Sequence, residues 1–340
     1  MECGIFFPPE SPTDLERHAV MAERNGFELI GLGDSQSIWR DVYASLAVVA
    51  EATKTARIGP TVTNPITRHS VVTASAVCTI DELSGGRALL GVGSGDSSVQ
   101  TLGERPARLA ELETEIQTVQ RLCRGEPSEY DDATIALEWV SDLEERPEIP
   151  VFLGAEGPKT LELAGRVADG VFIGTGLFPE LIQESIDHVT KGAKAAGRDP
   201  DDIETWILAK ANVRETTAEA VDEIKMALAA SANHAFRFTL EGKHVPERYR
   251  EPIEQLQSEY VPHQHEELGK TKNRELVEEL GLTAYLNDRF AVAGTAEECR
   301  SKLEAISSVP GVDGVLLTAY TADRERFISE FGERVIPHIG

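Results

Sequence analysis

Short apolar runs alternate with longer amphipathic segments from the first residues onward. The run CGIFF at 3–7 is apolar at every position, as expected of a strand buried on both faces. Residues 12–25 follow with Leu15, Ala19 and Ala22 at three- and four-residue spacing, the stripe of a helix, and Asn25-Gly26 stops it. The same rhythm predicts strands at 27–32, 56–62, 87–93, 150–155, 170–175, 205–213 and 314–320, and helices at 41–53, 69–83, 104–124, 157–167, 178–196, 216–230, 295–307 and 322–334. Two stretches break it. Residues 125–148 are acidic around the apolar patch IALEWV and suit a surface insertion such as a hairpin. Residues 231–290 are polar, rich in His and Tyr, and suit a helical insertion.

Counting 3–7 gives eight strands, so the fold class is α/β, a (β/α)8 TIM barrel with insertions, laid out as one domain over 1–340. Such a barrel needs about 250 residues, and the surplus of about 90 falls near 125–148 and 231–290. A doubly wound dinucleotide-binding sheet is the competing architecture. It requires a glycine-rich turn after the first strand, where this chain has PPESPTD.

Lys and Arg total 33 against 58 Asp and Glu, a net charge of −25, which argues against binding to nucleic acid or to an anionic membrane surface. Of the basic residues only 10 are Lys, leaving 33 − 10 = 23 Arg. An acidic, lysine-poor surface suits a halophile's salt-rich cytoplasm as well as it suits an ordinary acidic cytosolic protein. No secretory signal and no apolar run of membrane-spanning length is visible, so a soluble cytoplasmic protein is expected. Cys3, Cys78, Cys123 and Cys299 are too scattered for a zinc knuckle or a disulfide framework, and read as reduced, partly buried thiols. His263 and His265 lack the companions of a metal site, so no metal is expected.

In a (β/α)8 barrel the chemistry sits at the C-terminal ends of the strands. That rule nominates Asp34, Ser35 and Trp39 after the second strand, Thr63 and Asn64 after the third, and Ser94, Gly95 and Asp96 after the fourth. Asp34 and Asp96 are candidates for acid–base work; each also reads as a helix cap. The segment Gly154-Ala155-Glu156-Gly157-Pro158-Lys159 ends a strand and opens a helix with a proline. Its free N–H groups, helped by Lys159, suit a phosphate, with Gly174 and Thr175 offering a second set of donors. The alternative is a pair of tight turns without a ligand. No nucleophile elbow and no Walker lysine is present, which favours chemistry carried by an organic cofactor.

The blocks AERNGFELIGLGDSQ (22–36), the stretch 40–97 with its TNPITRH and LSGGRALLGVGSGD motifs, and IPVFLGAEGPKTLELAGRVADGVFIGTG (149–176) resemble the luciferase-like flavin-dependent oxidoreductases. Within them the chain looks most like the deazaflavin (coenzyme F420) branch and its methylenetetrahydromethanopterin reductase-like members. The resemblance implies a homodimeric barrel that holds F420 at the strand ends and transfers a hydride between the deazaflavin and a small organic substrate such as a methylene-tetrahydropterin. It places Asp34 and Ser35 along the ring, Asp96 beside it, and Thr61, Val62, Thr63 and Asn64 beneath it. Members of this branch carry a non-prolyl cis peptide that maps onto Thr61–Val62. Ser94 and Gly95, with Gly154, Ala155, Glu156, Gly157, Lys159, Gly174 and Thr175, then complete the cofactor contacts. Two positions depart from the pattern: relatives often have Asp-His at Asp34-Ser35, and the reductase's first-strand carboxylate is replaced by Phe6. An aromatic carries no proton, so the substrate is expected to be another carbonyl or imine. The alternatives are an FMN-dependent monooxygenase on the same barrel, and a non-catalytic homologue whose ring site is blocked by Phe6 or Trp39. The small, apolar helix 69–83 suits a dimer contact or its own barrel equally.

Overall fold

The structure, a computed structural model, describes residues 1–130, 132–144, 148–236, 239–261, 264, 267, 269 and 271–339. Its strands are β1 (Glu2–Phe7), β2 (Leu29–Leu32), β3 (Arg57–Pro60), β4 (Leu90–Val92), β5 (Ser128–Tyr130), β6 (Ala133–Ile135), β7 (Val151–Ala155), β8 (Gly170–Ile173), β9 (Glu204–Val213), β10 (Ala291–Gly294) and β11 (Gly314–Thr318). The helices are α1 (Pro12–Arg24), α2 (Val42–Ala52), α3 (Ser70–Ser84), α4 (Ser97–Gln100), α5 (Leu109–Cys123), α6 (Glu138–Ser141), α7 (Pro158–Val167), α8 (Pro179–Ala195), α9 (Thr217–Phe236), α10 (Glu247–Glu259), α11 (Lys272–Glu279), α12 (Thr283–Phe290), α13 (Ala296–Ser307) and α14 (Arg324–Arg334).

Eight parallel strands follow the order β3-β2-β1-β11-β9-β8-β7-β4. The circle closes between β3 and β4 through single bridges at Ile58–Ala88 and Thr63–Val92. This is the expected barrel, with each expected strand in place. β10 is a ninth strand that pairs with the outer half of β9, and the sequence pattern did not predict it. Its AVAG run is four small residues wedged between helices, too short to carry an alternation of its own.

The helices begin and end where local chemistry dictates. Ser11 accepts the Asp14 N–H at the head of α1, and Asp41 accepts those of Tyr43 and Ala44 at the head of α2. The helix expected over 104–124 is α5, which starts later, at Leu109, while the short α4 precedes the expected range. Gly103 adopts φ +74° and Pro106 disfavours helix at the residue before it. The 125–148 insertion does hold a hairpin, β5 with β6. The stretch 231–290 is helical as expected, but α9 runs on to Phe236, and α9 to α12 gather a second apolar core around Ile224, Leu228, Leu256 and Leu286. His263 and His265 lie outside the described residues.

Inside the barrel, Trp206, Phe152, Phe172, Leu29, Leu89 and Leu316 form a dry plug. Arg57 pairs with Glu204 beneath it and lies 5.4 Å over the Trp206 ring. Phe6, Val62 and Leu208 cap this plug. They are the floor on which the site is built. All four cysteines are buried and free. No described helix is long and apolar enough to cross a membrane.

Candidate active site

Above that floor a cavity of about 740 Å³ opens at the C-terminal ends of the strands. Its size lies within the range of small-molecule and cofactor sites. Phe6 and Trp39 form one wall, in edge contact with ring centroids 6.2 Å apart. They line the cavity and leave it open, so the ring site is not blocked by its own aromatics.

Between its two bridges to β4 the chain after β3 leaves the ladder, and the Thr61–Val62 peptide is cis. The bulge is pinned on both sides. Thr61 N–H donates to Leu32 O at 2.8 Å, Thr63 N–H to Gly91 O at 2.8 Å, and Gly93 N–H to Thr63 O at 2.8 Å. Two glycines clear the space it needs. A Cβ on Gly31 would lie 2.2 Å from Thr61 Oγ1, and one on Gly93 would lie 2.7 Å from Val62 Cγ2. Val62 is thereby presented upward into the cavity as an apolar platform.

Asp34 is 7% exposed and doubly tied. It accepts the Thr63 hydroxyl at 2.7 Å and Arg68 Nη1 at 2.5 Å. Arg68 reaches on to Asp41 at 2.8 Å and lies 5.1 Å over the Tyr43 ring, whose buried hydroxyl is pushed above its ordinary pKa by desolvation. Asp34 thus braces Thr63 beside the bulge. Asp96 precedes α4 without capping it; its Oδ1 accepts Gln100 Nε2 at 2.6 Å, and its other oxygen faces His234. Neither carboxylate caps a helix.

The expected site residues divide cleanly. Asp34, Thr61, Val62, Thr63, Asn64, Ser94, Gly95, Asp96, Gly154, Ala155, Glu156 and Gly157 line the one cavity. Gly174 lines a smaller one beside it, of about 140 Å³. Ser35 is buried behind the wall, 2.9 Å from the Ser97 hydroxyl. Thr175 turns to Ser185 at 3.0 Å, while its carbonyl accepts from the buried Arg289 at 3.1 Å. Lys159 is exposed on the first turn of α7 and is not among the lining residues. No side chain caps that helix start, and Gly157 and Thr160 line the cavity, so the N-terminus of α7 borders it. Arg108 and Lys243 line the cavity and supply positive charge there.

Sequence reasoning missed Arg108, Leu208, His234, Lys243 and Tyr320. Two of these, His234 and Lys243, come from the segment treated as an insertion. A histidine in the last turn of a long helix after the seventh barrel strand was the available signal. The cavity's residues fit a phosphorylated tricyclic redox cofactor: a roomy pocket, an apolar platform, and an uncapped helix start at one end.

The family described as luciferase-like monooxygenase matches residues 1–313. A 5,10-methylenetetrahydromethanopterin reductase of Methanolobus tindarius is 27% identical, covering 99% of this chain and 100% of that protein. An F420-dependent glucose-6-phosphate dehydrogenase of Amycolatopsis mediterranei is 27% identical, covering 96% of this chain and 95% of that protein. The solved coenzyme F420-dependent tetrahydromethanopterin reductase of Methanopyrus kandleri superposes with a TM-score of 0.80 at 24% identity, covering 100% of this chain and 99% of that one, and shares the fold.

Proposed function

The chain belongs to the luciferase-like monooxygenase family, and on that premise we propose that it is a coenzyme F420-dependent oxidoreductase acting on a small organic substrate. The observation that carries this reading is the open cavity over the pinned Thr61–Val62 bulge, backed by a methylenetetrahydromethanopterin reductase and an F420-dependent glucose-6-phosphate dehydrogenase among relatives matched nearly end to end. When bound, reduced F420 supplies a hydride. Thr61, Val62, Thr63 and Asn64 support the ring from below. Asp34, locked by Arg68, holds Thr63 in register and serves as a positioning residue, with Ser35 packed behind it. Ser94 and Gly95 border the ring, and Asp96 stands at its substrate side. Gly154, Ala155, Glu156 and Gly157 lead the cofactor's tail to the α7 terminus, where the peptide N–H groups offset its phosphate charge, with Lys159 and the Gly174-Thr175 turn outside that first layer.

Phe6 and Trp39 make the substrate side apolar, which favours a carbonyl or imine substrate with a flat or aliphatic body over a highly charged one. A methylene-tetrahydropterin, and with it a place in one-carbon metabolism, is retained as one such substrate. The acidic chain acts as a single 1–340 domain in a salt-rich cytoplasm, paired as a homodimer through α3, where Val72 is 53% exposed.

The test is oxidation of chemically reduced F420, followed by the return of the deazaflavin absorbance, against methylenetetrahydromethanopterin, aliphatic ketones and cyclic imines. Acceptor-dependent oxidation by at least one of them is expected. Oxidation that requires oxygen and FMN instead would make the protein a monooxygenase.

A further inference from the structure

Helices α3 and α5 lie side by side and run in the same direction, and two contacts give their register. The Ser70 hydroxyl donates to the Glu115 carboxylate, and the Cys78 and Cys123 sulfurs lie 3.5 Å apart. Each pair spans 45 residues, so positions at that offset face one another along the two helices. Ala74 and Val119, at the same offset between the two contacts, are fully buried.

Cys78 and Cys123 are each 2% exposed, and neither is bonded to another sulfur. Their pairing sets them apart from the other two cysteines. Cys299 donates to the Asn212 and Val292 carbonyls at 3.7 and 3.8 Å, and Cys3 lies on β1 beside Val315 of β11. Going from 3.5 Å to the about 2.05 Å of a disulfide bond moves the two sulfurs about 1.5 Å together, within reach of side-chain torsions and a small helix shift. Access comes from the end of α5. Cys123 is the last residue of that helix, the exposed Arg124 and Gly125 at φ +71° follow it, and helix ends fray. The Cys78 contact and burial hold the Cys123 thiol well above its ordinary pKa, so little thiolate is present at neutral pH and the pair reacts slowly.

We propose that Cys78 and Cys123 form a covalent modification site, at which hydrogen peroxide closes a disulfide that ties α3 to α5. The Cys123 sulfur, as thiolate, attacks one oxygen of the peroxide. A sulfur–oxygen bond forms, the O–O bond breaks, and the departing hydroxide takes up the proton that the thiol released, giving a sulfenic acid and one water. The Cys78 sulfur then attacks the Cys123 sulfur. The S–S bond forms, the S–O bond breaks, and the hydroxyl leaves as a second water with the Cys78 proton. Two electrons pass from the two thiols to the peroxide. The bond closes a loop whose ends are 45 residues apart, long enough for the cross-link to restrict the unfolded chain strongly. It also fastens α5, whose first turn supplies Leu109 and Leu112 to the cavity wall.

The experiment treats the purified full chain with millimolar hydrogen peroxide, blocks the remaining thiols with iodoacetamide in denaturant, and maps the tryptic peptides without reduction. A cross-link is expected between peptides 69–87 and 122–124, which carry Cys78 and Cys123, with Cys3 and Cys299 alkylated. The thermal midpoint of the cross-linked protein should rise by about 5 °C and return to the reduced value with dithiothreitol. Cys78→Ala and Cys123→Ala should form no such cross-link and show no rise with peroxide, and the wild-type peptide map decides the matter even where a variant does not fold. Peptides 69–87 and 122–124 that stay unlinked, a sulfinic acid on Cys123 beside a free Cys78, a cross-link to Cys3 or Cys299 instead, or a cross-linked protein that melts no higher than the reduced one overturns the proposal.

Discussion

Replacing Arg68 by Ala isolates the part of the site that organises the Thr61–Val62 bulge. The Asp34 side chain is 1% exposed and that of Arg68 16%, with 2.5 Å between their paired atoms. At an effective dielectric of about 20 and a charge separation of about 4 Å, their attraction is about 4 kcal/mol. Truncating one partner of a buried pair leaves the other charge stranded, at a cost of about 3–5 kcal/mol. Arg68→Ala also loses the half-exposed Asp41 contact and the Tyr43 ring contact, each worth about 1 kcal/mol or less. The Thr63 hydroxyl remains on Asp34 and limits the loss. The expected destabilisation is therefore about 4 kcal/mol, read from urea unfolding at pH 7 by tryptophan fluorescence. Asp34→Asn, which leaves Arg68 its second carboxylate, should cost less than Arg68→Ala. The double variant Asp34→Asn/Arg68→Ala should recover about 2 kcal/mol relative to the sum of the single losses. F420 affinity should fall in Arg68→Ala because Thr63 loses its brace. A loss below about 1 kcal/mol, or strict additivity in the cycle, would refute the view of Asp34 as a locked positioning carboxylate.

Two further outcomes follow from named contacts. Glu115, 3% exposed and accepting from Ser70, has its carboxyl pushed by burial from 4.5 to about 7. Its folded value lies above its unfolded one, so the stabilisation it offers is complete below pH 4.5 and is lost as pH rises to about 7, a loss of about 3 kcal/mol. Glu115→Gln should flatten the wild-type decline in unfolding free energy between pH 5 and pH 8, and an unchanged slope would contradict the burial argument. Gly93→Ala would set a Cβ 2.7 Å from Val62 Cγ2 and force the platform to move. Overpacking of about 1–3 kcal/mol predicts an F420 dissociation constant raised at least about fivefold, and equal affinity would mean that Val62 does not support the ring.

The barrel strands were legible because parallel strands buried on both faces write continuous apolar runs, and eight such runs fix the architecture. β10 was not, because AVAG between two helices is only four residues long with a single branched residue, Val292. The helix expected from residue 104 forms as α5 but starts only at Leu109, because the backbone demands of Gly103 and Pro106 outweigh a polar–apolar stripe there. For the site, strand ends led to Asp34, Asp96 and the Gly154–Gly157 turn. They did not show that Asp34 is spent on Arg68, since residues 34 and 68 meet only through the register of β2 and β3. Lys159 was nominated by adjacency to the Gly154–Gly157 turn, and its place on the first turn of α7 leaves it exposed and outside the cavity lining. His234 was hidden because residues 96, 156 and 234 become neighbours only when α9 folds back over the mouth of the barrel.

On the reading proposed here, the strand ends of this barrel form a site for a phosphorylated deazaflavin. Its most direct test is equilibrium titration of the purified protein with F420 and, separately, with FMN, followed by cofactor fluorescence. Saturable one-to-one F420 binding that weakens in Gly93→Ala is expected, with FMN bound far less tightly. Tight FMN binding alongside no measurable affinity for F420 would contradict it.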